Sequence, residues 1–300
     1  MILVVGSLNL DIVVPVPHHA RPGETVLGGD HARHAGGKGA NQAVAAARLG
    51  ASVAMLGRVG DDDAGRVLLG ALGEAGVATD HVLVSERTPS GIALITVDDE
   101  GENAIVVSPG ANARLDPSDV EAAAELIEGA GIVLLQLEVP LRTVERAAKL
   151  ARGTVILNPA PAVELPASLL ERADVLVPNR GELELLSHNP SDVAAAARQL
   201  EARQVVVTLG AEGALVVTGG GVEHISRHAV EAVDTTAAGD CFCGALAAGL
   251  DEGLDLAGAA RQANAAAALS TTRKGAQPSL PTSAELDDFF ATTRAPRGPQ

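Results

Sequence analysis

Six short, unbroken apolar runs constrain this chain more tightly than any other feature. They are ILVVG (2–6), SVAMLGRVG (52–60), GIVLLQLE (131–138), GTVILNP (153–159), ADVLVPN (173–179) and QVVVTLG (204–210), and each ends in Gly, Pro, Asn or an acid. A strand with one face in water alternates apolar with polar residues. An unbroken run of this length marks a strand buried on both faces, as in a parallel sheet. Helical patterns separate the runs: GANQAVAAARLG, DAGRVLLGALGEAG, DPSDVEAAAELIEGAG, LRTVERAAKLAR and NPSDVAAAARQLEAR, with Asp116 and Asn189 as helix caps. Strand and helix in alternation predict an α/β fold whose parallel sheet is covered by helices on both faces.

Two stretches leave this rhythm. Residues 11–37 and 90–112 alternate polar with apolar residues and carry turn signals, the second reading as a hairpin around DDEG (98–101). Both are expected as antiparallel pieces outside the main sheet, either a lid or ordinary edge strands. The expectation is one domain over residues 1–300, with a β lid formed by about 11–35 and 90–110. The tail after Thr292 is expected to fray.

Charge narrows the partners. With 22 basic against 38 acidic residues, the formal charge of −16 argues against nucleic acid or an anionic membrane as partner. Phe242, Phe289 and Phe290 are the only aromatics beside eight histidines that form no spaced ligand set, so stacking walls for bases are scarce. Cys241 and Cys243 read as small buried hydrophobes rather than a metal site. The opening segment has no basic lead and no run approaches a membrane span, so a cytoplasmic protein is expected.

In open α/β sheets ligands gather at the carboxyl ends of strands. That directs attention to Asn9 and Asp11, 36–41, Glu138, 179–182, 208–213 and 235–240. Neither VVGSLNLD nor GGKGAN has the spacing of a dinucleotide fingerprint or a Walker loop. DTTAAGD (234–240) binds an anion by another route. Ala237, Ala238 and Gly239 present successive N–H groups at the start of a helix running from about 238 to 250, a cradle that needs no cationic side chain. Asp240 then sits beside the anion, where it either caps the helix or accepts a proton from an attacking hydroxyl. Phosphoryl transfer asks mainly for such positioning and charge neutralisation.

Together these segments resemble the PfkB-type carbohydrate kinase family. GGKGANQAVAAARLGASVAMLGRVGDDDAG (36–65) and DTTAAGDCFCGAL (234–246) carry the resemblance, in order and correctly separated, and it extends from Ile2 to about Phe290. It implies a three-layer α/β/α sandwich with a mainly parallel central sheet and a small β-sheet lid over the sugar. The activity it implies is ATP-dependent phosphorylation of D-ribose at O5, with another sugar or a nucleoside as the alternative. A sugar-binding relative without turnover is a further one. A homodimer joined through the lid is implied as well.

The resemblance also assigns residues. Asp240 matches the base, and Ala237, Ala238 and Gly239 the anion hole. Asn9, Asp11, Gly37, Lys38, Asn41 and Glu138 match sugar contacts, carboxylates and amides suited to vicinal hydroxyls. NRGE (179–182) matches an N-x-x-E element, with Asn179 toward ATP and Glu182 toward Mg²⁺ through water; by its residues alone Asn179 is equally a helix cap. Thr208, Gly210 and Gly213 match a nucleotide loop, and Asn264 a residue near the adenosine. TRKGAQPS (272–279) matches a monovalent-cation loop, implying K⁺ held by Asp234 and Thr236 with oxygens near Ser270, Arg273, Gly275 and Ser279. Ala237 departs from the pattern, since many members carry Gly there.

Overall fold

The computed structural model describes residues 1–187, 192–200 and 202–294. In chain order these residues form β1 (Ile2–Val5), β2 (Asn9–Pro15), β3 (Ala32–Gly36), α1 (Lys38–Arg48), β4 (Val53–Gly60), α2 (Asp63–Glu74) and β5 (Ala78–Ser85). A hairpin of β6 (Gly91–Val97) and β7 (Asn103–Ser108) precedes α3 (Pro117–Ala122) and α4 (Ala124–Gly129). Then come β8 (Ile132–Leu135), α5 (Leu141–Leu150), β9 (Thr154–Leu157), α6 (Ala167–Arg172), β10 (Val175–Leu176), α7 (Arg180–Ser187), α8 (Val193–Gln199) and β11 (Val205–Thr208). The chain continues through β12 (Ala214–Thr218), β13 (Gly221–Ile225), α9 (Ala238–Asp251), α10 (Leu256–Ser270) and α11 (Ser283–Arg294).

All six apolar runs become strands of one nine-stranded sheet, in the order β13-β12-β11-β10-β9-β8-β1-β4-β5. Its strands are parallel from β5 to β11; β12 and β13 add an antiparallel hairpin at one edge. β1 shows why the runs are unbroken. Ile2 and Val4 enter the core beneath α1, α9 and α10, while Leu3 and Val5 enter the one beneath α3 to α8, and all four are 0% exposed. Each such burial is worth roughly 1.5–3 kcal/mol. Both faces therefore select apolar side chains, and the sandwich has the mainly parallel centre expected of it.

The second sheet has four strands in the order β3-β2-β6-β7. Its hairpin turns through DDEG, where the Asp98 carboxylate accepts from Glu100 N and Glu102 N. One expectation is corrected: β2 and β6 pair in parallel over Asn9–Pro15 and Gly91–Val97, so the sheet is mixed rather than antiparallel throughout. The cause is connectivity, because α1, β4, α2 and β5 intervene between β3 and β6 and bring the chain back in the direction of β2.

Three details of the sequence reading also change. The helical pattern at 116–131 breaks at Ala123 into α3 and α4, although Asp116 caps α3 as expected in a reciprocal capping box with Asp119. Asn189 lies outside the described residues; Asp192 caps α8, accepting from Ala194 N and Ala195 N. α11 continues to Arg294, beyond the expected start of fraying, and the rest of the tail lies outside the described residues. Among the described residues no helix is long and apolar enough to cross a membrane.

Candidate active site

The site is built where α9 crosses α1. Gly244 permits the close crossing, because a Cβ there would lie 2.4 Å from Gln42 O. The crossing brings the first turn of α9 against the first turn of α1, and with it Asp240 against Asn41 and Gln42. Asn41 Nδ2 donates to Asp240 Oδ2 at 3.0 Å and Gln42 Nε2 to Asp240 Oδ1 at 3.1 Å. Burial pushes the Asp240 carboxyl above its ordinary range, while the Lys38 ammonium and the two amide donors pull it back. In return the Asp240 carboxylate holds Lys38 above the usual lysine range despite its burial. A carboxylate so placed is ionisable yet more basic than an exposed one, which suits proton acceptance.

Asn9, Asp11, Lys38 and Glu138 meet on the neighbouring side. Glu138 Oε2 accepts from Ser7 Oγ (2.6 Å), Lys38 N (3.0 Å) and Asn9 Nδ2 (3.4 Å). Asn9 is itself aimed by Asn112, whose Nδ2 donates to Asn9 Oδ1 (2.8 Å) and Leu8 O (2.9 Å) while Asn112 Oδ1 accepts from Leu8 N (2.9 Å). Gly37 has φ +88°, and a Cβ there would meet Asn9 N at 2.6 Å, so only glycine allows α1 to start this close to β2. Asp11 is pushed up to about 7, by burial first and then by the charges of Glu138 and Asp240. Among the described residues Asn41 Oδ1 is buried without a hydrogen-bond partner, so this side holds an acceptor ready for a hydroxyl.

A cleft of about 240 Å³ opens on the other side of Asp240. Ala237, Ala238, Gly239 and Asp240, expected to form an anion hole, line one wall, and Lys38, Asn179, Glu182 and Thr208 contribute to the rest. Ala237 takes the left-handed conformation at φ 59°, ψ 12° and starts α9; Ala238 N donates back to Thr235 O at 3.2 Å, so the uncommitted N–H groups of this helix start are those of its other lining residues. Asn179 and Glu182 cap α7 reciprocally: Asn179 Oδ1 accepts from Glu182 N and Glu182 Oε2 from Asn179 N, both at 2.8 Å. Burial raises the Glu182 carboxyl. Thr208 bridges back to Asn179, and Arg180 pairs with Glu212 at 3.0 Å, so the two loops travel together.

Gly210, Gly213 and Asn264 lie outside that lining. Gly213, at φ +97°, packs against Ile225 O, and Asn264 Nδ2 donates to Ser226 O at 2.9 Å, so both meet the segment following β13. The expected cation residues come together from two distant stretches. Gly275 N donates to Asp234 Oδ2 at 2.8 Å, and Val233 N and Asp234 N both donate to Thr271 O. Thr236 N donates to Asp234 Oδ1, Ser270 Oγ to Ala267 O and Ser279 Oγ to Ala276 O, while the Arg273 guanidinium pairs with Glu285. Cys241 and Cys243 are buried, and burial pushes the Cys241 thiol up to about 12, so the helix start does not make it reactive.

Ser7, Gln42, Asn112, Gln136 and Asn158 were invisible to the sequence reading, being ordinary polar residues until the fold buries them. Their position near strand ends or inside the first motif was the one available signal. A larger groove of about 630 Å³ lies at the opposite, amino-terminal ends of the strands. Its Arg152, Arg172 and Arg203 are already paired with Glu128 and Asp174, and it holds none of the residues above.

Comparison with known proteins shows the family and the fold. Residues 1–283 match the pfkB family carbohydrate kinase model. The chain is 41% identical over 297 residues to a ribokinase of Haemophilus influenzae, covering 96% of this chain and 97% of that one. Among solved structures, a ribokinase of Thermotoga maritima superposes with a TM-score of 0.91 at 39% identity, covering 97% of this chain and 99% of that one. The Arabidopsis thaliana ribokinase complexed with ribose and ATP superposes at 0.89 with 34% identity, covering 96% and 98%.

Proposed function

Since the chain belongs to the pfkB family of carbohydrate kinases, we propose that it transfers the γ-phosphoryl group of ATP to the 5-hydroxyl of D-ribose, giving D-ribose 5-phosphate and ADP. The observation that carries the reading is the place of Asp240, buried at the head of α9 between hydroxyl-seeking groups and an anion cleft. Near-full-length likeness to ribokinases favours ribose over another sugar or a nucleoside.

In this reading Asn9, Asp11, Gly37, Lys38, Asn41 and Glu138 hold the sugar. Asp11, Asn41 Oδ1 and the second oxygen of Glu138 accept from its hydroxyls, and Lys38 donates. Asp240 takes the proton of the 5-hydroxyl as the new P–O bond forms and the bond to ADP breaks. The N–H groups of Ala237, Ala238, Gly239 and Asp240 hold the oxygens of the transferring group, that of Ala238 by sharing or leaving its bond to Thr235 O. Asn179, Thr208, Gly210, Gly213 and Asn264 line the path of the nucleotide.

Glu182 suits Mg²⁺ because its one carboxylate at the cleft wall matches an ion that keeps several waters; bound there, the metal neutralises phosphate charge. Asp234, Thr236, Ser270, Arg273, Gly275 and Ser279 suit K⁺ through oxygens on two loops already hydrogen-bonded together, next to the turn that starts α9. The small sheet acts as a lid within a single domain, and its exposed Leu94, Ile105, Val106 and Val107 join two copies into a homodimer. The protein works in the cytoplasm.

The test is ADP release from ATP with ribose, deoxyribose, fructose, adenosine or no sugar, with and without potassium. Ribose turnover is expected, potassium-stimulated, and falling about 10²–10⁴-fold in Asp240→Asn. Turnover confined to another acceptor replaces the sugar, and none with well-folded, ATP-binding protein removes the kinase reading.

A further inference from the structure

Behind Asp240 lies a chain of buried amides whose orientation is set from one end, although at the far end Gln136 Oε1 has no hydrogen-bond partner among the described residues. It begins at Val177 O, a main-chain acceptor that fixes Asn158, whose Nδ2 donates to it at 2.9 Å. Asn158 Oδ1 must then face Gln42, whose Nε2 donates to it at 3.2 Å and to Asp240 Oδ1 at 3.1 Å. Gln42 Oε1 accepts from Gln136 Nε2 at 2.7 Å. Turning the Gln42 amide over would set its oxygen against Asn158 Oδ1 and Asp240 Oδ1, an opposition that turning Gln136 does not relieve. Gln42 and Gln136 are both 0% exposed, so water offers neither an alternative partner.

We infer that Gln42 is the positioning residue of the Asp240 carboxylate, orienting it for proton acceptance from behind while touching neither substrate. The inference rests on the kinase reading above, though not on which sugar is used. Asn41 holds the other carboxylate oxygen, but its free Oδ1 faces a ligand role as well. Gln42 has all of its amide capacity committed to the network, so its one link to chemistry is the orientation and ionisation of Asp240. The charged and titratable groups around that carboxylate are Lys38 from α1, Asp11 from β2, Glu138 after β8, Glu182 from α7 and Cys241 and Cys243 from α9 itself. All remain when Gln42 is changed. Gly6 completes the arrangement, since a Cβ there would lie 1.9 Å from Gln136 Oε1.

Gln42→Met keeps the length of the side chain and removes the donor. In folded protein it is expected to lower kcat about 10–100-fold, with KM for sugar and ATP within about threefold. The acidic limb of the kcat–pH profile moves to higher pH, because the ionised carboxylate has lost a donor. Gln42→Glu, which regains a donor when protonated, recovers part of that kcat toward acid pH. A folded Gln42→Met with wild-type kcat and an unmoved limb overturns the inference, as does a loss expressed in KM alone. Should Gln42→Met not fold, Gln136→Met decides: the same limb shift with a smaller kcat loss supports the role, and an unmoved limb refutes it. Wild-type protein is run alongside on the full acceptor panel; its inactivity would count against the kinase reading, whereas an active wild type with indifferent variants counts against Gln42.

Discussion

In the large sheet β1 buries all four of its side chains; in the small sheet β7 buries none of its six. Yet both strands carry four consecutive apolar residues, ILVV in β1 and AIVV within the NAIVVS of β7. Hydrophobic sequence thus reports that a strand needs cover, not that its own chain supplies it. β1 lies between two layers of helices. β7 is an edge strand with no layer over its apolar side chains, a surface that monomeric proteins keep small. The two sheets nevertheless share the site: β2 of the small sheet brings Asn9 and Asp11, and the carboxyl ends of the large one bring Glu138, Asn179 and Thr208.

The sharpest way to break this contrast is to place the same charge in both. Val4→Asp puts a carboxylate where both neighbouring strands and the α1 layer are apolar, and no folded protein is expected in circular dichroism or thermal melts. Val106→Asp, at a position 67% exposed, should leave the melt within a few degrees and, if the proposed homodimer forms, shift mass from dimer to monomer in sedimentation. A folded Val4→Asp, or a Val106→Asp that melts like an unfolded chain, would erase the distinction drawn between the sheets.

A smaller effect tests the seam where the sheets meet. Asp11 has its carboxyl pushed up to about 7 from 3.8, so between those values the folded protein holds a proton that the unfolded chain has released. The stability this contributes is complete below about 4 and is lost as pH rises through about 7. Ligand-free protein should therefore melt at lower temperature at pH 8 than at pH 5, and Asp11→Asn should flatten that fall. Parallel curves for the two proteins would show that the seam does not charge Asp11 as described.

The smallest expected effect lies on the large-sheet side alone. Ala237 holds a left-handed conformation at φ 59° that costs an alanine more than a glycine. Ala237→Gly should raise unfolding free energy by about 0.5–1 kcal/mol in urea titration, the relief of strain exceeding the added chain entropy. An unchanged or lowered midpoint would mean that the turn is not strained.

Much of the architecture is local enough to be legible in the chain. The six runs, the helix starting near Ala238 and the cap at Asp116 follow from periodicity and from the hydrogen-bond needs of helix ends, whereas the cap at Asp192 was not named beforehand. The β5 edge strand and the β12–β13 hairpin were not legible, because half-exposed edge strands carry mixed patterns. Candidate residues were found where motifs announced them, as at Lys38, Asn41 and Asp240. The residues that aim them were not, since an isolated Gln, Ser or Asn carries no signal until a neighbour needs it.

By itself, then, the sequence determined the α/β alternation, the carboxyl-end placing of the candidate residues and the helix start before Asp240, all set by contacts within a turn or two of chain. Only the tertiary structure decided that β2 and β6 run parallel, that β7 stays uncovered, and that Gln42 meets Asp240 from 198 residues away. Those outcomes depend on how whole layers pack and on which buried donors find acceptors, and no stretch of chain carries that information alone.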